Sequence, residues 1–186
     1  MSGGGAVPRA ARVRFNPRAA AVFGAGYTVG TMKEKDRLTE GFKLKLEIFI
    51  NGCDQKEIDL KWNREERGEM EAFYQNDLIA FVVNVMYADG NISAQEVDYL
   101  NKNFGFEYTV EELRDVHRFL QDEVYGSFED QLIDDVKYLM SLDKNMGQSF
   151  IELLLMLCDI ISQSDDKVEE AEIRAVAVVK AKLESL

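Results

Sequence analysis

Residues 87–97 read YADGNISAQEV, and the meaning of this stretch decides the fold. An EF-hand loop carries Asp at position 5, Gly at 6, an aliphatic residue at 8 and Glu at 12. Asp89, Gly90, Ile92 and Glu96 fill those slots, but positions 1 and 3 fall on Val85 and Tyr87, which offer no side-chain carboxylate. Half of a calcium loop is present. The residues leave three readings open: a decayed EF-hand, another kind of acidic site, or a well-capped helix start. In the last, Ser93 is an N-cap, Glu96 closes a capping box, and Gly90 permits a left-handed turn.

The stretch has a counterpart. ADGNISAQE (88–96) aligns with SDDKVEEAE (164–172), so that Asp89 falls on Asp165, Ile92 on Val168 and Glu96 on Glu172, each 76 residues on (165 less 89, 172 less 96). Upstream, Phe81 meets Leu157 and Val85 meets Ile161; downstream, Val97 meets Ile173 and Leu100 meets Val176. Each half reads as a buried helix, an acidic turn, and a second helix with Glu in its first turn. Capping alone does not require an Asp seven residues before the Glu, yet both turns have one. One turn offers too few oxygens for calcium, which takes six to eight. Two turns brought together by a near-twofold rotation would offer four carboxylates, with Asp166 at the rim. In the bland alternative, Asp166 caps the second helix with Glu169.

Around these turns the pattern is helical from Glu69 onward. Apolar spacing predicts helices near 69–87, 94–104, 110–122, 128–141, 148–163 and 169–184. SAQE from Ser93, TVEE from Thr109 and SFED from Ser127 are start signals, and Gly105 is a stop. LIAFVVNVMY (78–87) and FIELLLMLCDII (150–161) are apolar nearly all round, which predicts two central buried helices and makes Cys158 a core residue.

Upstream the period changes. Leu44, Leu46, Ile48 and Ile50 alternate, as do Ile58, Leu60 and Trp62, and Asn51-Gly52 marks a turn. This predicts a β-hairpin over 37–66 with a loop at Asn51–Gln55, pairing Ile48 with Ile58, Leu46 with Leu60 and Leu44 with Trp62. Before it, residues 1–36 form a basic tail. Arg9, Arg12, Arg14 and Arg18 lie there, and all 34 acidic residues follow Thr31. The tail is open to four readings: a targeting segment, disorder, a non-native remnant, or translation starting at Met32.

Composition sets outer limits. A formal net charge of -12 disfavours nucleic acid and anionic membrane and favours cations or basic protein surfaces. Two distant cysteines make neither a disulfide framework nor a zinc motif, so a reducing cytoplasmic setting is expected. The apolar runs IAFVV and LLLMLC are short for a bilayer span, so any membrane association would be peripheral and through a partner. Catalysis has little support. The one histidine, His117, lacks the Glu-x-x-His spacing of a di-iron bundle, and no Gly-rich phosphate loop follows a strand.

The layout from 70 to 184 resembles the tellurite-resistance TerB family and its TerB-like relatives. The residues that carry the resemblance are YADGNISAQEVDYL, NKNFGFEYTVEEL and SQSDDKVEEAEI. It implies a mainly α, internally duplicated domain over 67–186, with acidic residues of the two turns binding a divalent cation. Carried onto this chain, it implicates Asp89 and Glu96 in one half and Asp165 and Glu172 in the other. The second turn departs from the first in having Asp166 where the first has Gly90. Calcium or magnesium suits such oxygen ligands better than zinc. The resemblance further implies a non-enzymatic module of a chemical stress response, working with protein partners in a larger assembly. The alternative is a metal-independent interaction module whose acidic face docks a basic partner.

Overall fold

Residues 34–56, in which the alternating pattern predicts a strand and a turn, form a single 23-residue helix, α1 (Glu34–Lys56). The computed structural model describes residues 34–104, 106–123, 127–162 and 170–186. Most of the basic tail, Gly105, Asp165, Asp166 and Glu169 lie outside the described residues. Then follow α2 (Arg64–Arg67), α3 (Met70–Met86), a 3₁₀ turn (Tyr87–Asp89), α4 (Ala94–Phe104), α5 (Val110–Glu123), α6 (Phe128–Leu142), α7 (Lys144–Ser162) and α8 (Glu170–Glu184). No strand occurs among the described residues.

The hairpin is therefore corrected to a helix, and the reason is the buried face. Phe42, Leu46, Phe49, Ile50 and Cys53 are buried, a spacing of three and four that only a helix turns to one side. Leu44 and Ile48, which share a strand face with Leu46 and Ile50, are instead 60% and 63% exposed. Asn51-Gly52 is not a turn but two residues of the helix. The chain reverses later, through Lys61, whose φ is 53°. The Lys61 N–H bonds to Ile58 O at 3.1 Å and the Trp62 N–H to Glu57 O at 3.1 Å, the paired bonds of a Schellman ending.

Helix α7 is the hub. It packs against α1, α6 and α8, while α3 packs against α1, α5, α6 and α8. Helices α1 and α7 run antiparallel: Lys45 pairs with Glu152 at 2.5 Å and Lys56 with Asp143 at 2.6 Å. Helix α7 is also long and apolar enough to cross a membrane by length and composition. Here its Phe150, Leu153, Leu154, Leu157, Cys158 and Ile160 are core residues. At its start, Gly147 lies so close to α6 that a Cβ would stand 2.8 Å from Met140 Cα. Aromatic rings join the layers. Phe49 stacks on Phe150 at 5.2 Å and meets Tyr74 edge-on at 5.9 Å. Burying each such side chain contributes about 1.5–3 kcal/mol.

The predicted helices from residue 69 onward appear within a few residues of their expected bounds. Ser93, Thr109 and Ser127 each accept a hydrogen bond from the backbone N–H three residues on. The 76-residue spacing survives in the helix limits. Met86 and Ser162 close α3 and α7, and Ala94 and Glu170 open α4 and α8 (162 less 86, 170 less 94). Phe81 and Leu157, Val85 and Ile161, and Leu100 and Val176 are buried alike, but Ile173 is 50% exposed where Val97 is buried.

Candidate functional site

The first acidic turn is built by local chemistry. Helix α3 ends at Met86 and tightens into the Tyr87–Asp89 turn. Gly90 follows with φ 89°, a left-handed conformation that costs glycine nothing, and its N–H bonds to Tyr87 O at 2.8 Å. Asp89 is exposed, and its Oδ1 accepts the Asn91 N–H at 2.8 Å. Ile92 is 1% exposed and anchors the turn in the core. Helix α4 then opens with a reciprocal capping box. The Ser93 N–H donates to Glu96 Oε2 at 2.5 Å, and the Glu96 N–H donates to Ser93 Oγ at 3.2 Å.

The turn is braced from two sides. Helix α5 sends His117 against Tyr87, with ring centroids 3.7 Å apart and planes at 13°. One turn earlier, Arg114 Nη2 donates to Ile92 O at 3.5 Å. Burial lowers the His117 pKa from its usual value, which favours the neutral ring in this stack. Helix α5 is itself set by Asn101 of α4, whose side-chain amide donates to Tyr108 O at 2.7 Å and accepts the Tyr108 N–H at 2.9 Å, just before α5 begins. From the other side, α8 packs against the turn. The sequence reading uses His117 only in setting aside a di-iron bundle and gives neither it nor Arg114 a part in the turn. The signal that links them is their spacing of three, which puts both on one face of α5.

Of the five expected ligands, three are described. Asp89 and Glu96 belong to the first turn and each has one carboxylate oxygen engaged in a local backbone bond. Glu172 stands in the first turn of α8 and is buried, unlike Asp89, and it has an interaction partner. Asp165 and Asp166 belong to 163–169, outside the described residues. The described residues hold no group of three or more His, Cys, Asp or Glu side chains arranged to take a metal ion. The donor chemistry suits a hard cation, since Asp89 and Glu96 are both oxygen donors. A complete ligand set would require Asp165 or Asp166 as well.

Both thiols, Cys53 of α1 and Cys158 of α7, are buried. Burial pushes Cys53 and Cys158 each up to about 12, so neither is a reactive thiolate at neutral pH.

A scan against protein-family models matches residues 75–184 to the family described as Tellurite resistance protein TerB. That span covers α3 from Gln75, both segments that bracket the acidic turns, and α8 to its last residue. Searches of the curated proteins and of the solved structures found no match.

Proposed function

Because this chain belongs to the TerB family of tellurite resistance proteins, we propose that it is a divalent-cation-binding helical module of a chemical stress response, acting as a scaffold in a larger protein assembly. The observation that carries this reading is the packing of α8 against the Tyr87–Asp89 turn. It brings the helix that carries Glu172 in its first turn next to the segment that carries Asp89. In this reading Asp89, Glu96 and Glu172, together with Asp165 and Asp166, hold the cation. A hard oxygen donor set selects magnesium or calcium over zinc, and the one histidine is stacked on Tyr87. The cation offsets the mutual repulsion of the carboxylates that bind it. The module has no catalytic step of its own. It works in the cytoplasm with protein partners, in keeping with its two buried free thiols and acidic balance.

One observation favours a second reading, a metal-independent docking surface for a basic protein. The capping box and the Asp89–Asn91 bond account for both first-turn acids without a cation.

Thermal melting with and without magnesium or calcium separates the two. Cation binding at a hundredfold excess over the dissociation constant adds about 2.7 kcal/mol of stability. Asp89→Asn should lose most of that gain while retaining apo stability. Ser93→Ala should cost about 1 kcal/mol with or without cation. If no cation raises the melting temperature and Asp89→Asn behaves like the parent throughout, the docking reading stands instead.

A further inference from the structure

A second polar cluster lies away from the acidic turns, where the segment before α3 meets α6. Arg67, the last residue of α2, donates from Nη1 to Asp135 Oδ1 of α6 at 3.1 Å. Its guanidinium lies over Tyr138, Phe73 and Trp62, with ring-centroid distances of 4.3, 5.3 and 5.8 Å. Trp62 Nε1 donates to Gly68 O at 2.8 Å and closes the loop that carries Arg67. The Tyr74 hydroxyl donates to Asp135 O at 3.4 Å. One turn along α3, Asp77 is half-buried as a residue, and its Oδ2 is fully enclosed and has no hydrogen-bond partner.

These groups do not balance if both carboxylates are ionised. One guanidinium would face two carboxylates, and one carboxylate oxygen would sit out of water with no donor. An ionised oxygen so placed is costly, whereas a neutral carboxyl is not. Burial first, then the charge of Asp135, pushes Asp77 well above the usual carboxylate range, with Arg67 opposing. Asp135 is also raised by burial and by Asp134, but its hydrogen bond to Arg67 pulls it back. Arg67 bonds Asp135 and leaves the enclosed Asp77 oxygen without a donor, which favours a proton on Asp77 over one on Asp135. The groups that face the pair are Arg67 from α2, Asp134 and Tyr138 from α6 and Tyr74 from α3. Cys53 of α1 acts on Tyr74, and Glu57 accepts the Met70 N–H at the start of α3.

We propose that Asp77, Asp135 and Arg67 form a proton-operated latch that fastens the Trp62–Gly68 segment onto α3 and α6. With one proton on the carboxylate pair, Arg67 serves Asp135 alone and stays under the aromatic rings. When the proton leaves, Asp77 competes for the guanidinium and draws it away from Trp62. The latch spans a boundary: Asp77 and Asp135 lie within the family-matched 75–184, whereas Trp62 and Arg67 precede it. It thus links the state of the flanking segment to pH, independently of any cation at the acidic turns.

Trp62 is the chain's one tryptophan, so its emission reads the latch directly. Fluorescence is followed from about pH 4 to about pH 9, the span within which buried carboxyls titrate. The full chain should show one sigmoidal change in Trp62 emission. Asp77→Asn, which copies the protonated state, should abolish it and hold the low-pH signal throughout. In a second measurement, the Asp77 carboxyl is titrated by carbon-13 NMR in the parent and in Arg67→Gln. Its midpoint should lie above the ordinary carboxylate range and should move higher once the guanidinium is gone. A Trp62 transition that persists unchanged in Asp77→Asn would overturn the latch. So would an Asp77 midpoint in the ordinary range, or one that Arg67→Gln leaves unmoved.

Discussion

Phe42 of α1 meets Phe104 of α4 edge-on, with ring centroids 5.3 Å apart and planes at 88°. Both rings are fully buried. Through this contact the helix that precedes the family-matched stretch shares a core with the helix that follows the first acidic turn. The face of α1 that makes the contact can be tested residue by residue. Phe42→Ala and Phe49→Ala should each cost about 3–5 kcal/mol in urea unfolding, because each leaves a cavity in the core. Leu44→Ala and Ile48→Ala, on the exposed face, should stay within about 0.5 kcal/mol. Equal losses at Leu44 and Leu46 would instead revive a period of two.

How legible this was in the sequence follows from which residues carry each signal. From residue 69 onward the apolar spacing is helical and the starts are marked by Ser93, Thr109 and Ser127, so element types and most limits could be read. Helix α1 reads as a strand in the sequence because Leu44, Leu46, Ile48 and Ile50 fall at every second position, while Asn51-Gly52 imitates a hairpin turn. The decisive residues are aromatic: Phe42, just before the alternating run, and Phe49, within it, belong to the buried set with Leu46 and Cys53. Gly52 is tolerated in mid-helix at about 1 kcal/mol. Of the candidate site, the first acidic turn is legible, because Asp89, Gly90, Ser93 and Glu96 stand at short spacings; the second turn lies outside the described residues. The brace on Tyr87 from His117, and the Arg67–Asp135 contact, join residues 30 and 68 apart (117 less 87, 135 less 67). No local pattern announces such pairs.

Helices α6 and α7 meet tightly at Gly147. A methyl group on Gly147 would stand 2.8 and 2.9 Å from Met140 Cα and N, and backbone cannot step aside as a side chain can. Gly147→Ala should therefore destabilise by about 1–3 kcal/mol despite the better helix propensity of alanine. A chemical-denaturation midpoint equal to or above that of the parent would show that the corner has slack.

Asp143 gives a pH signature at the same corner. It accepts from Lys56 Nζ at 2.6 Å, and from the Met146 and Asn145 N–H groups at 3.1 and 2.9 Å. The Lys56 bond, then the backbone bonds, hold its carboxyl below the usual carboxylate range. A depressed folded pKa means the stabilisation is present above the unfolded value, about 3.9, and is lost as pH falls through the folded one. Asp143→Ala should thus cost about 1 kcal/mol near neutral pH as a lost cap, and the gap to the parent should narrow below about pH 4. Melting temperatures of the two proteins across that range decide it. A gap that stays constant into acid would mean the charge contributes nothing.

The central claim is that the two acidic turns take one divalent cation between them, and residue-resolved NMR titration with magnesium and with calcium tests it most directly. The account predicts saturable shifts in the amides of Asp89–Glu96 and in the first turn of α8 around Glu172, following one shared isotherm. The dissociation constant should be modest, about 10⁻⁴–10⁻³ M, as for weak calcium modules. Asp89→Asn should weaken the response in both segments together. Shifts that never saturate at millimolar cation, or that move one segment while the other stays still, would contradict it.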